Sequence, residues 1–232
     1  MSRKSYLAVA LLALVFGFAG AALWSLSGLG DRQTRGYLLE NPELLAEMAD
    51  RYQAQQAGER LAAVADEVAT PFPGAVLGNP DGAVTLVEFT DYGCTYCRMS
   101  KPDVERLVAE NPDLRVVIRE WPIFRGSEPA ARMALAAAKQ GKFAAFHSAM
   151  FELGPPDPAS IEKAARAAGL DMAAARTFAA SDEASFEIAK TMGLAEKLGF
   201  TGTPSWVVGG EVIEGAVGYE ALDAAVDDAR GS

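Results

Sequence analysis

Residues 84–97 read Val-Thr-Leu-Val-Glu-Phe-Thr-Asp-Tyr-Gly-Cys-Thr-Tyr-Cys. The first seven are β-branched, aromatic or aliphatic apart from Glu88, the pattern of a strand covered on both faces. Asp91-Tyr92-Gly93 carry turn chemistry. Cys94 and Cys97 follow, and a helical pattern with Pro102 inside it continues to about Glu110. Leu114 to Trp121 reads as a second buried strand. Parallel strands need a crossover of this kind, so the segment predicts a β-α-β unit. Both cysteines then lie at the carboxyl end of the first strand, where a helix begins.

That position has a chemical consequence. Free N–H groups and the helix dipole at a helix N-terminus favour a negative sulfur on Cys94. The thiolate is the attacking form in disulfide exchange. Cys97, one helical turn on and less exposed, is placed to resolve the mixed disulfide. The chain has two cysteines and one histidine. A disulfide framework and a four-cysteine zinc site within one chain are thereby excluded, and redox chemistry is favoured. Two soft thiolates also suit Cu(I), so copper handling through the same pair is the alternative. Glu88 lies six residues before Cys94. An unpaired buried carboxylate is costly, so Glu88 either has a task at the pair or faces a solvated edge. His147, in FAAFHSAMFE, reads as a packed structural histidine.

Towards the C-terminus, residues 127–199 are helical in pattern, opened by Ser127-Glu128-Pro129 and broken at Gly141, at residues 154–158 and at Gly169. Pro204–Val208, Gly209-Gly210 and Glu211–Ile213 predict a hairpin, and Tyr219–Arg230 a closing helix. Towards the N-terminus come a short strand at Ala75–Leu77 and a boundary at Pro71-Phe72-Pro73-Gly74. Residues 31–72 form a separate arm. Asn41-Pro42-Glu43 predicts a helix start with Asn41 as its cap. Leu45, Met48 and Tyr52, then Leu61, Val64 and Val68, give thin apolar stripes, suiting either a solvated spacer or an oligomerisation arm. Arg3 and Lys4 precede an uncharged run from Tyr6 to Leu26. As a helix it would span about 31 Å, close to the ~30 Å hydrocarbon core. It predicts a membrane anchor within residues 1–30, with Ala19-Gly20-Ala21 offering a cleavable signal as the alternative. Either way the remainder is exported. The net charge of −10 gives no basic face for nucleic acid.

The segments VEFTDYGCTYC, LRVVIREWPIF and GFTGTPSWVV, with the helical insertion between the last two, together resemble the DsbA-like family of thioredoxin-fold proteins. The resemblance covers roughly Val76 to Asp228. It implies an α/β thioredoxin fold in residues 73–232, with a helical domain at about 127–199 inserted before a cis-proline strand. It implies a protein-disulfide oxidoreductase, oxidase or isomerase, acting on exported proteins and served by a membrane redox partner. The redox-active disulfide would be its only prosthetic device, with no cofactor or metal. Thr203-Pro204 would carry the cis peptide beside the cysteines, exposing the Thr203 backbone to substrate. Glu88 would relay a proton to or from Cys97. The implied location is the periplasmic side of a bacterial inner membrane, anchored, or soluble after cleavage. RGYLLENPELLAEM resembles the N-terminal region of ScsC-type members, which implies a homo-oligomer through residues 31–70. One departure stands out. The dipeptide between the cysteines is Thr95-Tyr96, where DsbA-like oxidases often carry a histidine that stabilises the thiolate. The direction of electron flow is therefore left open.

Overall fold

The computed structural model describes residues 3–26 and 28–231. It contains two compact units, one ending at Gln53 and one beginning at Ala54. The first unit holds α1 (Arg3–Leu26), α2 (Leu29–Glu40) and the start of α3 (Glu43–Ala62). Among the described residues no helix is long and apolar enough to cross a membrane. The expected anchor therefore gains no support from the fold; residues 1, 2 and 27 of the expected segment lie outside the described residues. Asn41 joins two helices: it closes α2, its Nδ2 donating to the Tyr37 carbonyl at 2.7 Å, and its own carbonyl accepts from Leu44 N in the first turn of α3 at 3.2 Å. Tyr37, Leu38, Leu39, Leu45, Met48 and Tyr52 are exposed.

The second unit is built on five strands: β1 (Val76–Gly78), β2 (Val84–Thr90), β3 (Leu114–Glu120), β4 (Ser205–Val208) and β5 (Glu211–Glu214). Their order in the sheet is β1-β3-β2-β4-β5. β2 and β3 are parallel, with α5 (Thr95–Glu110) as their crossover, and the other pairings are antiparallel. Five helices separate β3 from β4: α6 (Glu128–Lys139), α7 (Phe143–Leu153), α8 (Pro158–Ala167), α9 (Met172–Ala179) and α10 (Asp182–Leu198). Asp157, Asp171 and Ser181 cap α8, α9 and α10 by accepting from backbone N–H groups of the first turn. α11 (Tyr219–Arg230) closes the chain. This is a thioredoxin-like α/β fold with a helical insertion.

Alternation along the strands gives the sheet two buried faces. Leu86, Val116, Ile118 and Trp206 join a core with Leu107 of α5, Phe146 of α7 and Leu222 of α11. Val87, Phe89, Val117 and Val207 join a second core with Leu194 and Leu198 of α10. Leu61 at the end of α3, Val64 just before α4 (Ala65–Ala69) and Val68 within α4 complete that second core. The sequence predicts the boundary at residues 71–74, whereas the compact unit begins at Ala54. The reason is that these three side chains fill space beneath the sheet. Arg119, only 1 % exposed, fastens the same segment: its guanidinium donates to the Glu67, Val68 and Thr70 carbonyls and to Glu187 Oε1.

Candidate active site

The turn between β2 and α5 is held by Asp91. Its Oδ1 accepts from Gly93 N at 2.6 Å, and its Oδ2 accepts from Phe124 N at 2.8 Å. The Asp91 carbonyl accepts from Cys94 N at 3.0 Å. Cys94 thereby becomes the N-cap of α5, and its Sγ accepts from Cys97 N at 3.4 Å. The same sulfur donates to the Thr203 carbonyl at 3.2 Å. Thr203-Pro204 is a cis peptide leading into β4. Thus Cys94, Cys97, Thr203 and Pro204, distant in sequence, meet at one end of the sheet. Thr95 and Tyr96 face outwards.

Both cysteines are free thiols and both are buried, Cys94 to 2 % and Cys97 to 1 % exposure. The expected difference in exposure is therefore slight. Their surroundings distinguish them. Burial pushes the Cys97 thiol far up, the Glu88 carboxyl adds to this, and the Thr203 and Thr90 hydroxyls pull the other way. Those two hydroxyls are buried and make no ordinary hydrogen bond of their own. Glu88 sits in the central strand opposite Ile118 and Trp206, 3 % exposed. Burial raises its carboxyl from 4.5 to about 7, against the Thr90 hydroxyl, which lowers it. Glu88 is therefore buried rather than edge-facing. It lines a cleft of about 220 Å³ together with Cys97, Val104, His147 and Phe151, and Lys101 and Glu105 stand at its rim. A buried carboxyl poised near neutrality and a thiol in one cleft are equipped to exchange a proton.

A model of the DSBA-like thioredoxin domain matches residues 85–227, well over half of the chain. The protein belongs to the DsbA-like thioredoxin family. A model of the copper resistance protein ScsC N-terminal domain matches residues 35–59. Among solved structures, a thioredoxin-like oxidoreductase from Silicibacter pomeroyi is 46 % identical, with a TM-score of 0.65 over 68 % of this chain and 92 % of that one. A linker-deletion variant of Proteus mirabilis ScsC is 28 % identical, with a TM-score of 0.71 over 85 % and 92 %. The curated relatives are longer: a Salinispora tropica Na(+)/H(+) antiporter, NhaA 3, is 32 % identical over 68 % of this chain but 25 % of its own length. The chain thus spans about a quarter of the length of the antiporters it matches.

Within this DsbA-like site the sequence reading passes over Tyr92, Asp91 and Glu120. Glu120 ends β3 opposite Thr90, and Tyr92 Oη lies 2.9 Å from Glu120 Oε1. The signal was present in LRVVIREWP, where a carboxylate interrupts a buried strand just as Glu88 does. His147 is packed as expected, 4 % exposed between Phe143, Phe151 and Tyr92. Its Nδ1 is also 3.0 Å from Tyr92 Oη.

Proposed function

We propose that this chain is a thiol–disulfide oxidoreductase for exported proteins, with Cys94 as the attacking sulfur and Cys97 as the resolving one. The observation that carries this reading is Cys94 Sγ at the N-cap of α5, 3.2 Å from the Thr203 carbonyl. The Cys94 thiolate attacks a substrate disulfide; a Cys94–substrate bond forms and a substrate thiolate leaves. Cys97 gives its proton to Glu88 and attacks Cys94. The mixed disulfide breaks, releasing the second substrate thiolate and leaving a Cys94–Cys97 disulfide. The reverse sequence oxidises a substrate dithiol. Exposed Tyr96, Met99 and Phe124 flank the turn and suit an unfolded, partly apolar segment.

Family membership supports action on exported proteins on the periplasmic side of a bacterial inner membrane, with regeneration by a membrane redox partner. The exposed apolar side chains of residues 37–52 and the ScsC-type match support self-association through the arm. The test is exchange with a model protein disulfide. Cys94→Ser abolishes it, and Cys97→Ser accumulates mixed disulfides. Full activity in Cys94→Ser would overturn the assignment. The equilibrium potential against glutathione then sets the direction, because about 30 mV corresponds to about 1.4 kcal/mol for this two-electron couple. The copper reading draws on the name of the family matched at residues 35–59 and on the softness of two thiolates. Cu(I) bound at one equivalent without disulfide exchange would favour it.

A further inference from the structure

Three buried titratable side chains take no part in the exchange just described. Tyr92 stands two residues before Cys94, Glu120 ends β3, and His147 comes from α7 of the insertion. Tyr92 Oη is 2.9 Å from Glu120 Oε1 and 3.0 Å from His147 Nδ1. Glu120 Oε2 is buried without a hydrogen-bond partner. His147 lines the cleft that holds Glu88 and Cys97. We propose that Glu120, Tyr92 and His147 form a proton store for the cysteine pair, joined through the cleft to Glu88 and Cys97. The inference rests on the oxidoreductase reading.

The chain has two complete hydrogen-bonded arrangements. In the loaded one, the Glu120 carboxylic O–H donates to Tyr92 Oη, Tyr92 donates to His147 Nδ1, and Nε2 carries the ring proton. In the unloaded one, His147 Nδ1–H donates to Tyr92 Oη, Tyr92 donates to the Glu120 carboxylate, and Nε2 is bare. When Cys97 leaves as a thiolate, the Nε2–H bond breaks. Its proton passes through the cleft to the Glu88 carboxylate or to the Cys97 sulfur. The Tyr92 proton moves to Nδ1 and the Glu120 proton moves to Tyr92 Oη. One proton has left Glu120 and one has reached the pair. When Cys97 attacks, the movement reverses. The cleft, about 220 Å³ in volume, has room for the connecting water.

The surroundings of each member suit its part. Burial raises the Glu120 carboxyl well above its usual range; the Tyr92 hydrogen bond opposes this, and the Asp91 and Glu88 charges add to it. Glu120 therefore holds a proton more readily than an ordinary carboxyl does. Burial, then the Lys101 charge from α5, hold His147 down to about 3, with Glu105 of α5 also at the cleft rim. The ring therefore passes a proton by changing tautomer rather than by becoming a cation. Tyr92 is pushed well up by burial and by Glu120, with smaller contributions from Glu88 and Asp91, so its hydroxyl conducts without ionising.

His147 is the only histidine, so ¹⁵N-imidazole labelling of the full chain reports one ring. The expected result is a tautomer that differs between the dithiol and disulfide forms, and that ceases to differ in Glu120→Gln. The kinetic test is reduction of the disulfide form by a dithiol peptide. At pH 8, above the titration of Glu88, Tyr92→Phe and Glu120→Gln should each slow it about tenfold, a modest share of ordinary acid–base catalysis. At pH 6, where Glu88 carries its own proton, the loss in both variants should shrink. One tautomer in both redox forms of the parent chain overturns the proposal, as does an unchanged rate at pH 8 in both variants. If Tyr92→Phe does not fold, the parent's tautomer decides. A parent chain inert towards the dithiol peptide would instead sink the oxidoreductase reading. An active parent with unaltered variants would sink only the store.

Discussion

Cys94 Sγ donates to the carbonyl oxygen of Thr203 at 3.2 Å, across 109 positions of sequence. The same residue, Thr203, has a buried hydroxyl without a hydrogen-bond partner, and that hydroxyl favours the charged form of Cys97. One residue thus serves both sulfurs, the first through its backbone and the second through its side chain.

Thr203→Val separates those two roles. The carbonyl stays and the hydroxyl goes. A hydrogen bond to a charged group contributes about 1.5–3 kcal/mol, so the Cys97 thiolate becomes harder to form. Attack on a substrate disulfide by Cys94 should proceed as before, while the mixed disulfide should persist at least about tenfold longer. Rapid acid quenching and gel analysis would measure the lifetime. An unchanged lifetime would show that the hydroxyl does not stabilise the Cys97 thiolate.

Glu88 ties stability to pH in the opposite sense from most carboxylates. The folded state raises it from 4.5 to about 7, with burial the main cause. The fold therefore binds this proton more tightly than the unfolded chain does. Stability that is full below the unfolded value is lost as the pH rises through the folded one, by about 3 kcal/mol in all. Glu88→Gln should remove that loss and gain on the parent between pH 5 and pH 8 in urea melts. Its resolution step should slow by about 10²-fold, as for a lost general base. A parent chain whose stability is level across that range would contradict the assignment.

Gly93 has no room for a side chain. A Cβ there would lie 2.6 Å from Ser127 Oγ and 3.2 Å from both Asp91 Oδ1 and Phe124 Cβ. Gly93→Ala should cost about 1–3 kcal/mol through overpacking and should displace the Asp91 clamp on the turn. Ser127→Ala removes the nearest atom. The double variant should recover part of the lost melting temperature and exchange rate. Equal losses in the single and double variants would locate the obstacle elsewhere.

The β-α-β unit, the cysteine pair and the hairpin were legible in the sequence because local patterns decide them. Glu88 was legible because a carboxylate in a buried strand demands an explanation. Tyr92 was not, because its hydroxyl partners come from β3 and from α7, 28 and 55 residues away. Nothing in Asp-Tyr-Gly distinguishes a turn tyrosine from a bridge between layers. The packing of residues 61–68 was hidden for a different reason. The spacing of Leu61, Val64 and Val68 is the same whether the stripe meets another copy, meets water or lies beneath this sheet.

Arg119 supplies the test of that packing. Its guanidinium is buried, and desolvation lowers its affinity for a proton, with the Glu187 and Glu67 charges opposing this in part. It is 3.0 Å from Glu187 Oε1 and holds the carbonyls of Glu67, Val68 and Thr70. Arg119→Met keeps bulk on the strand but leaves these acceptors unpaired and Glu187 without its partner. Breaking a buried pair from one side costs about 3–5 kcal/mol. The loss should concentrate where the bonds were, because β3 retains its ladder to β1 and β2. Hydrogen exchange should accelerate across residues 61–70 well before it does in β2 or β3. The Arg119→Met, Glu187→Met double variant, which removes both charges, should recover part of the stability. Uniform acceleration across the whole sheet would mean that residues 54–72 and the sheet unfold as one unit; slow exchange throughout would mean that Leu61, Val64 and Val68 hold the segment without the arginine.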